Sequence, residues 1–395
     1  MTQGPLDGQR IVIIGGGLAG LSLALHLSER DLGASIRILE PRQGYCDDRT
    51  WAFWATVPHL FSDLPYHHWQ AWTIAGPGGE VVCRSQRYPY CCLRSSQVYA
   101  AATQRLAARS EVTIETGRRV HGLDARPDRV ILETDAGALT ADWVYDSRPP
   151  AALPASTAGH PTLVQDFVGW RVRTNAPLWD PETADLMRFQ PGPDDGVRFH
   201  YTLPLSAHEA LVETTVFARS AKSRDSHRAD LRAAMSARAG DAWTLMGEEC
   251  GRIPMATGPL PPAPGRRVVP IGTRAGAPRP STGYAFLPIQ RHSAALARIA
   301  AKGRPAPVPV RSAWTHWLDR VFLRYLDDDP TAGPALFDRL FRGTPPDRLV
   351  RFLSECGSPV DHLAAMRALP ILPFLRTAAA VSLQHPMAAA SPAAR

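Results

Sequence analysis

The chain has 395 residues, 45% of them hydrophobic and 21% charged, which excludes an intrinsically disordered protein and leaves room for two or three domains. Its formal net charge of +7 comes from 44 basic residues, but only Lys222 and Lys302 are lysines. The arginines are scattered, with no basic run and no nucleic-acid-binding motif, so nucleic acid is excluded as the expected partner and a weak attraction to anionic lipid is left.

Ile11 to Ile14 predict a short buried strand, and the glycine run GGGLAG then opens a helix through Arg30. Ile36 to Leu39 predict the next strand, ending at Glu40. Gly15, Gly17 and Gly20 stand in the spacing G-x-G-x-x-G, with Gly16, Leu18 and Ala19 completing the turn. The first two glycines permit a tight turn and a close approach of a pyrophosphate, and the third lets the helix pack on the strand. Glu40 lies where a carboxylate holds a ribose hydroxyl, so the unit predicts a dinucleotide site. FAD is expected over NAD because the motif opens a chain with a sheet-like insertion. Three consecutive glycines inside the apolar run Ile11 to Leu27 argue against a signal peptide or a membrane span. The six cysteines show no CxxC and no metal spacing, which fits a reducing cytoplasm.

Next, DDRTWAFW (47 to 54) brings together Arg49, Trp51, Phe53 and Trp54. Such aromatics form core, line an apolar substrate tunnel, or face a cation. His67-His68 lacks the companions of a zinc site. A helix is predicted over 95 to 110, and strands over 112 to 115, 130 to 134 and 143 to 146. PPAALPAS (149 to 156) is a crossover into residues 160 to 255, whose strand-like runs predict a mostly antiparallel sheet.

Within that region, EALVETTVFARS alternates as a strand, with Leu211, Glu213, Thr215 and Phe217 on one face. Glu213 therefore sits on a stripe made for burial, where a carboxylate must be paired or take up a proton. PLPPAPG (259 to 265) leads to the strand RVVPIG, ending at Gly272 and Thr273. Ser281-Thr282-Gly283 then stands where a capped helix is expected to begin, facing the pyrimidine edge of a flavin. That helix is predicted from about Ala285 to Ala301; KGRPAPVPV connects it to helical segments rich in Trp, Phe and Leu. Asp327-Asp328-Asp329 is followed by Pro330, without a second aspartate cluster, and reads as a solvated cap. An Ala/Pro-rich tail from Thr377 to Arg395 is expected to be disordered.

Taken in order, GGGLAG, DDRTWAFW, LVETT, GRIPM, IGT, PSTGYAF, FLRYL, LFDRLF, RFLSE and LPILPFL resemble the bacterial lycopene β-cyclase family over nearly the whole chain. The resemblance implies an FAD enzyme that turns the linear ends of lycopene into β-rings, using reduced flavin with NAD(P)H as electron donor and no net redox change. The family's motif Phe-Leu-Glu-Glu-Thr falls on Leu211 to Thr215, which makes Glu213 the catalytic acid. Its second glutamate is Thr214 here, and Arg252 replaces a small apolar residue in GRIPM. The implied cofactor residues are Gly15 to Gly20, Glu40, Arg49, Gly272, Thr273, Ser281, Thr282 and Gly283; Trp51, Phe53 and Thr215 would line the substrate pocket. A water-insoluble polyene further implies a peripheral contact with the membrane, placed on LPILPFL and neighbouring arginines.

The expected architecture is thus α/β: a two-domain, Rossmann-type FAD-binding flavoprotein with an antiparallel-sheet substrate domain and a helical C-terminal region. Residues 1–55, 91–150 and 260–305 are expected to form the FAD-binding domain. Residues 56–90 and 151–259 form the substrate sheet, and 306–376 the helical region. Two other classes remain open: a flavin monooxygenase or desaturase acting on a carotenoid or other isoprenoid, and a non-catalytic carotenoid-binding protein.

Overall fold

The computed structural model describes residues 4–157, 159–191 and 196–384. Five parallel strands form the first sheet, in the order Val268–Pro270, Trp143–Asp146, Arg10–Ile14, Ser35–Glu40, Val112–Thr116. Parallel strands are buried on both faces, which is why Ile11 to Ile14 read as a continuous apolar run. On one face Ile11, Ile13, Ile36 and Ile38 pack against the helices Leu18–Ser28, Ser95–Ala107 and Phe286–Ala300. On the other, Val12, Ile14, Leu39 and Val144 pack against a three-stranded antiparallel sheet of Val120–Ala125, Val130–Thr134 and Gly137–Ala141.

The second large sheet has seven strands, in the order Trp243–Ala256, Thr162–Thr174, Glu209–Ala218, Gly196–Pro204, Thr183–Gln190, Ala71–Gly76, Gly79–Arg84. All its pairs are antiparallel except Thr183–Gln190 with Ala71–Gly76. The helix Arg224–Ala239 covers one face through Leu231 and Met235. The C-terminal helices cover the other through Leu323, Leu326, Leu336, Phe337, Leu340 and Leu349. A small sheet of Thr50–Trp54, Tyr90–Arg94 and His67–Trp69 lies between the two halves.

The C-terminus differs from the expectation of a disordered tail from Thr377. A helix, Ile371–Gln384, continues through the first part of that segment. Alanine, the best helix former, favours it, and it is docked on the helix Ala313–Asp328 by fully buried Val381 and a Trp317 Nε1–Ser382 Oγ hydrogen bond of 3.2 Å. The rest of that expectation falls on residues 385–395, outside the described residues.

Candidate active site

The glycine turn, the open face of the seven-stranded sheet and the C-terminal helices enclose one cavity of about 1280 Å³. At its dinucleotide end, the Gly15 N–H bonds to Leu39 O at 2.8 Å, closing the turn over the second strand. Gly20 allows the helix to meet that turn, since a Cβ there would run into Gly15 O. Gly17 is different: an added Cβ would meet nothing within 4 Å, so its face is free toward the cavity. The Glu40 carboxylate accepts from Gly16 N at 2.7 Å and from Arg42 Nε at 2.8 Å. Arg42 is also held by Asp48 and by the rings of Tyr45 and Tyr99, each about 5.0 Å away. Glu40 therefore braces the turn and an arginine as well as lining the cavity.

Among the described residues, two buried polar atoms near this end have no hydrogen-bond partner. Tyr45 Oη stands over Gly16, and Gln165 Oε1 over Gly283. Together with the free face of Gly17 and the guanidinium groups of Arg118, Arg119 and Arg148 along the wall, they fit a long polar, anionic ligand such as a dinucleotide.

The expected cofactor residues Gly15, Gly17, Leu18, Ala19, Glu40, Arg49, Gly272, Thr273, Ser281, Thr282 and Gly283 all line the cavity, while Gly16 and Gly20 shape the turn behind it. The expected role of Ser281 as a helix cap does not hold. Its Oγ donates to Asp319 Oδ1 at 2.6 Å, and the helix starts later, at Phe286, with no side-chain cap. The reason lies in Gly283, whose φ of +72° turns the chain back so that its N–H bonds to Arg279 O at 2.8 Å. Arg279 is itself buried, bonded to Asp319 at 3.0 Å and to the carbonyls of Phe352 and Leu353.

Beyond the dinucleotide end, the strand Glu209–Ala218 turns Glu213, Thr215 and Phe217 into the cavity, as its alternation predicts. Trp51 lines the cavity, but Phe53 does not. It stacks on Phe286 with ring centroids 4.3 Å apart and belongs to the core of the dinucleotide half, the ordinary fate of a strand aromatic. Thr214 faces the opposite side of the sheet, where its Oγ1 donates to Asp230 Oδ2 at 2.6 Å. His200 Nε2 lies 3.1 Å from the same oxygen. Arg252 points largely to solvent, its Nε 3.6 Å from Asp166.

Across the sheet, Tyr201, Glu213, Gly169 and Glu249 fall in one register row. Among the described residues no arginine pairs with Glu213; its hydrogen bond comes from Thr215 Oγ1, at 2.9 Å. Burial, reinforced by the nearby Glu249, pushes the Glu213 carboxyl up to about 8, against the opposing pull of Thr215. At neutral pH Glu213 is thus a protonated acid facing an apolar space. Tyr201 bonds to Tyr90 (Oη–Oη 2.9 Å), and burial raises both phenols, so they stay neutral donors beside it. Around them stand the rings of Phe167, Phe199, Phe217 and Tyr284.

Glu249 did not stand out in the sequence, because GEECGRIPM carries two adjacent glutamates on a half-buried edge strand. Arg42, Arg118, Arg119 and Arg148 were equally hidden among the scattered arginines. Among the described residues no His/Cys/Asp/Glu cluster could hold a metal. Asp327 is taken up by Arg219, and Asp329 caps a short turn through Ala332 N.

Comparison with known proteins adds to this geometry. A family profile described as "Lycopene cyclase protein" matches residues 10–379. The lycopene beta-cyclase of Pantoea ananas is 26% identical over 95% of this chain and 98% of its own length. That of Pseudescherichia vulneris is 30% identical over 80% of this chain and 81% of its own. Among solved structures, the flavin-dependent monooxygenase PieE, in complex with FAD and substrate, aligns with a TM-score of 0.56 at 14% identity over 95% of this chain and 72% of its own. At that identity the likeness shows the fold: that of the FAD-dependent monooxygenase-like flavoproteins.

Proposed function

The chain belongs to the lycopene cyclase family, and from that premise we propose that it is a lycopene β-cyclase, closing the acyclic ends of lycopene into β-ionone rings. One observation carries the reading: Glu213 is a neutral carboxyl on the wall of an aromatic-lined cavity that is continuous with a dinucleotide turn. Protonation of a terminal alkene by Glu213 forms a C–H bond and leaves a tertiary carbocation. The neighbouring double bond attacks it to close a six-membered ring, and loss of a ring proton sets the β-ionone double bond. Hydrogen count is unchanged, so the reaction is an isomerisation.

Each step makes a demand on the wall. The acid must be protonated at neutral pH, which burial of Glu213 supplies. The cation must be held without a nucleophile that would trap it, and the faces of Phe167, Phe199, Phe217 and Tyr284 offer cation–π attraction of about 0.5–2 kcal/mol each while excluding water. Gly17, Arg118, Arg119 and Arg148 would hold the phosphates of FAD, and Gly272, Thr273 and Gly283 its ring end. Bound in its reduced form, FAD would supply electron-rich, anionic density toward the cation. We further propose NAD(P)H as the electron donor that sets this state once for many turnovers.

The substrate reaches the cavity from a lipid phase. Supporting this, Leu363, Met366, Ile371, Phe374 and Leu375 line one end of the cavity. Just there Ile371, Leu372 and Leu375 are 58%, 69% and 60% exposed. The helices Pro359–Ala368 and Ile371–Gln384 meet at a sharp bend, with Arg367 and Arg376 beside them. Among the described residues no single helix is long and apolar enough to cross a membrane, and a bent apolar pair flanked by arginines suits the interface.

Pigment analysis of lycopene-accumulating cells expressing the chain tests the reading. β-Carotene or γ-carotene is the expected product, and each ring formed in heavy water should gain one deuterium. Unchanged lycopene, an oxygenated carotenoid, or NADPH consumed once per ring would overturn it.

A further inference from the structure

One polar side chain interrupts the apolar wall of the substrate sheet, and neither the acid chemistry nor the fold accounts for it. On the strand Thr162–Thr174, residues Leu163, Gln165, Phe167 and Gly169 share the face that carries Glu213 on the neighbouring strand. In its register row Gln165 stands between Phe217 and Ile253, and all three line the cavity. Its Oε1 is buried, and among the described residues nothing donates to it. A buried amide oxygen left in that state costs free energy, and a group entering the cavity would relieve it.

The position of that amide narrows what the group can be. A Cβ added at Gly283 would lie 2.1 Å from Gln165 Oε1, 3.1 Å from its Cδ and 3.6 Å from its Nε2, so the amide fills the space a side chain there would need. Gly283 belongs to the loop 281–284, every residue of which lines the cavity. The loop leads into the helix Phe286–Ala300 of the dinucleotide half, whereas Gln165 comes from the substrate sheet, so the two halves meet at this amide. Lycopene consists of carbon and hydrogen alone and offers the amide no hydrogen bond. The pyrimidine side of a flavin carries carbonyl acceptors flanking an N–H donor, and a carboxamide presents one group of each kind.

We infer that Gln165 is the substrate sheet's partner for the flavin ring, bonding its pyrimidine edge through the carboxamide and favouring the reduced form. This rests on the flavin reading of the cavity. A hydrogen bond to a charged acceptor is stronger than one to a neutral acceptor, so an amide N–H gains most when the ring carries the negative charge of its reduced state. Strand register then sets the ring edge relative to the acid. Gln165 stands four residues before Gly169, the partner of Glu213, which is roughly 13 Å along the strand. Phe167 and Thr215 form the wall between the two rows, beside the end that is cyclised. Gln165 is thus a positioning residue, acting on cyclisation through the flavin.

The test compares the wild type with Gln165→Met, which keeps the length of the side chain, and Gln165→Leu. Flavin-free protein is titrated with FAD, the visible bands of the bound flavin are recorded, and its two-electron midpoint is measured against a reference dye. Both variants should fold as stably as the wild type without flavin, because the lost amide oxygen had no protein partner. Each should bind oxidised FAD about three- to tenfold more weakly, with shifted visible bands. Affinity for reduced FAD should fall about tenfold further, which lowers the midpoint by about 30 mV. Unchanged affinity, bands and midpoint would show that the amide bonds only water and overturn the assignment. Weaker binding that is equal in both redox states, with bands in place, would mark a loss of packing alone and overturn it too. Should one variant fail to fold, the other must show the shifts; failure of both overturns the assignment, since Gln165 would then serve the protein itself. A wild type that binds no FAD overturns the flavin reading beneath it instead.

Discussion

Replacing Glu213 by Gln should change how stability responds to pH, by an amount that follows from burial. In the folded protein the Glu213 carboxyl titrates at about 8, against an ordinary value of 4.5. Between those values the folded chain keeps a proton that the unfolded chain has released. The stability this neutral group contributes is therefore fully present below pH 4.5 and is lost as pH rises through 8. The slope within the window is about 1.4 kcal/mol per pH unit, so raising pH from 5 to 8 should cost the wild type about 4 kcal/mol that Glu213→Gln does not lose. Glu249, also raised, adds to the slope in both proteins, and the comparison cancels most of its share. Gln keeps the shape of the side chain, and its amide oxygen can still accept from Thr215. Urea unfolding of flavin-free protein at pH 5, 6, 7 and 8, read by tryptophan fluorescence, gives the two curves. Parallel curves would refute the reasoning, since Glu213 would then titrate as an ordinary surface carboxyl and could not serve as a neutral acid. In flavin-loaded enzyme the same variant should lose cyclisation by about 10²–10⁴-fold with flavin content unchanged.

Other outcomes follow from separate parts of the molecule. Gly17→Trp should fold, because its face is open, yet lose flavin on purification by filling the phosphate path; full flavin absorbance would remove that path. Leu372→Glu with Leu375→Glu should reduce co-sedimentation with anionic lipid vesicles while leaving flavin bound, and unchanged sedimentation would move the lipid contact elsewhere. Thr214→Glu, which restores the family's second glutamate, should lower stability by about 1–3 kcal/mol because it sets a buried carboxylate against Asp230. Adding Asp230→Ala should recover part of that loss, and a fully stable single variant would contradict the facing assigned to Thr214.

The dinucleotide turn was legible because its chemistry is local. A strand, three spaced glycines, a helix and a terminal carboxylate are contiguous in the chain, and steric need alone fixes where glycine must stand. Glu213 was legible for a related reason: strand alternation is strict, and one acidic residue on an apolar stripe breaks it. What escaped is what folding brings together from afar. Glu249 joins Glu213 only because two antiparallel pairings bring both alongside Gly169, a register that no single segment contains. Ser281 was misread as a cap because its partner, Asp319, lies 38 residues away. Phe53 was misplaced because a strand aromatic facing core and one facing a cavity look alike until their neighbours are known. The Ala/Pro composition after Thr377 suggested disorder, but Val381 and Ser382 find a docking surface on a helix some 60 residues earlier.

Glu213 and Thr214 sit side by side in sequence yet serve opposite sides of a sheet one chain thick, and that thinness makes the strand an insulator. On the cavity side burial holds a carboxyl proton-loaded to about pH 8. On the far side, in spite of burial, hydrogen bonds from His200 and Thr214 draw Asp230 down to about 2, so it stays charged. The strand thus separates two carboxyls whose protonation states are opposite over some six units of pH. A slip of one residue in its pairing would turn the acid toward Asp230 and offer the cavity a threonine in its place. The insertion or deletion of a single residue within Glu209–Ala218 should therefore silence the chemistry even where the sheet still closes.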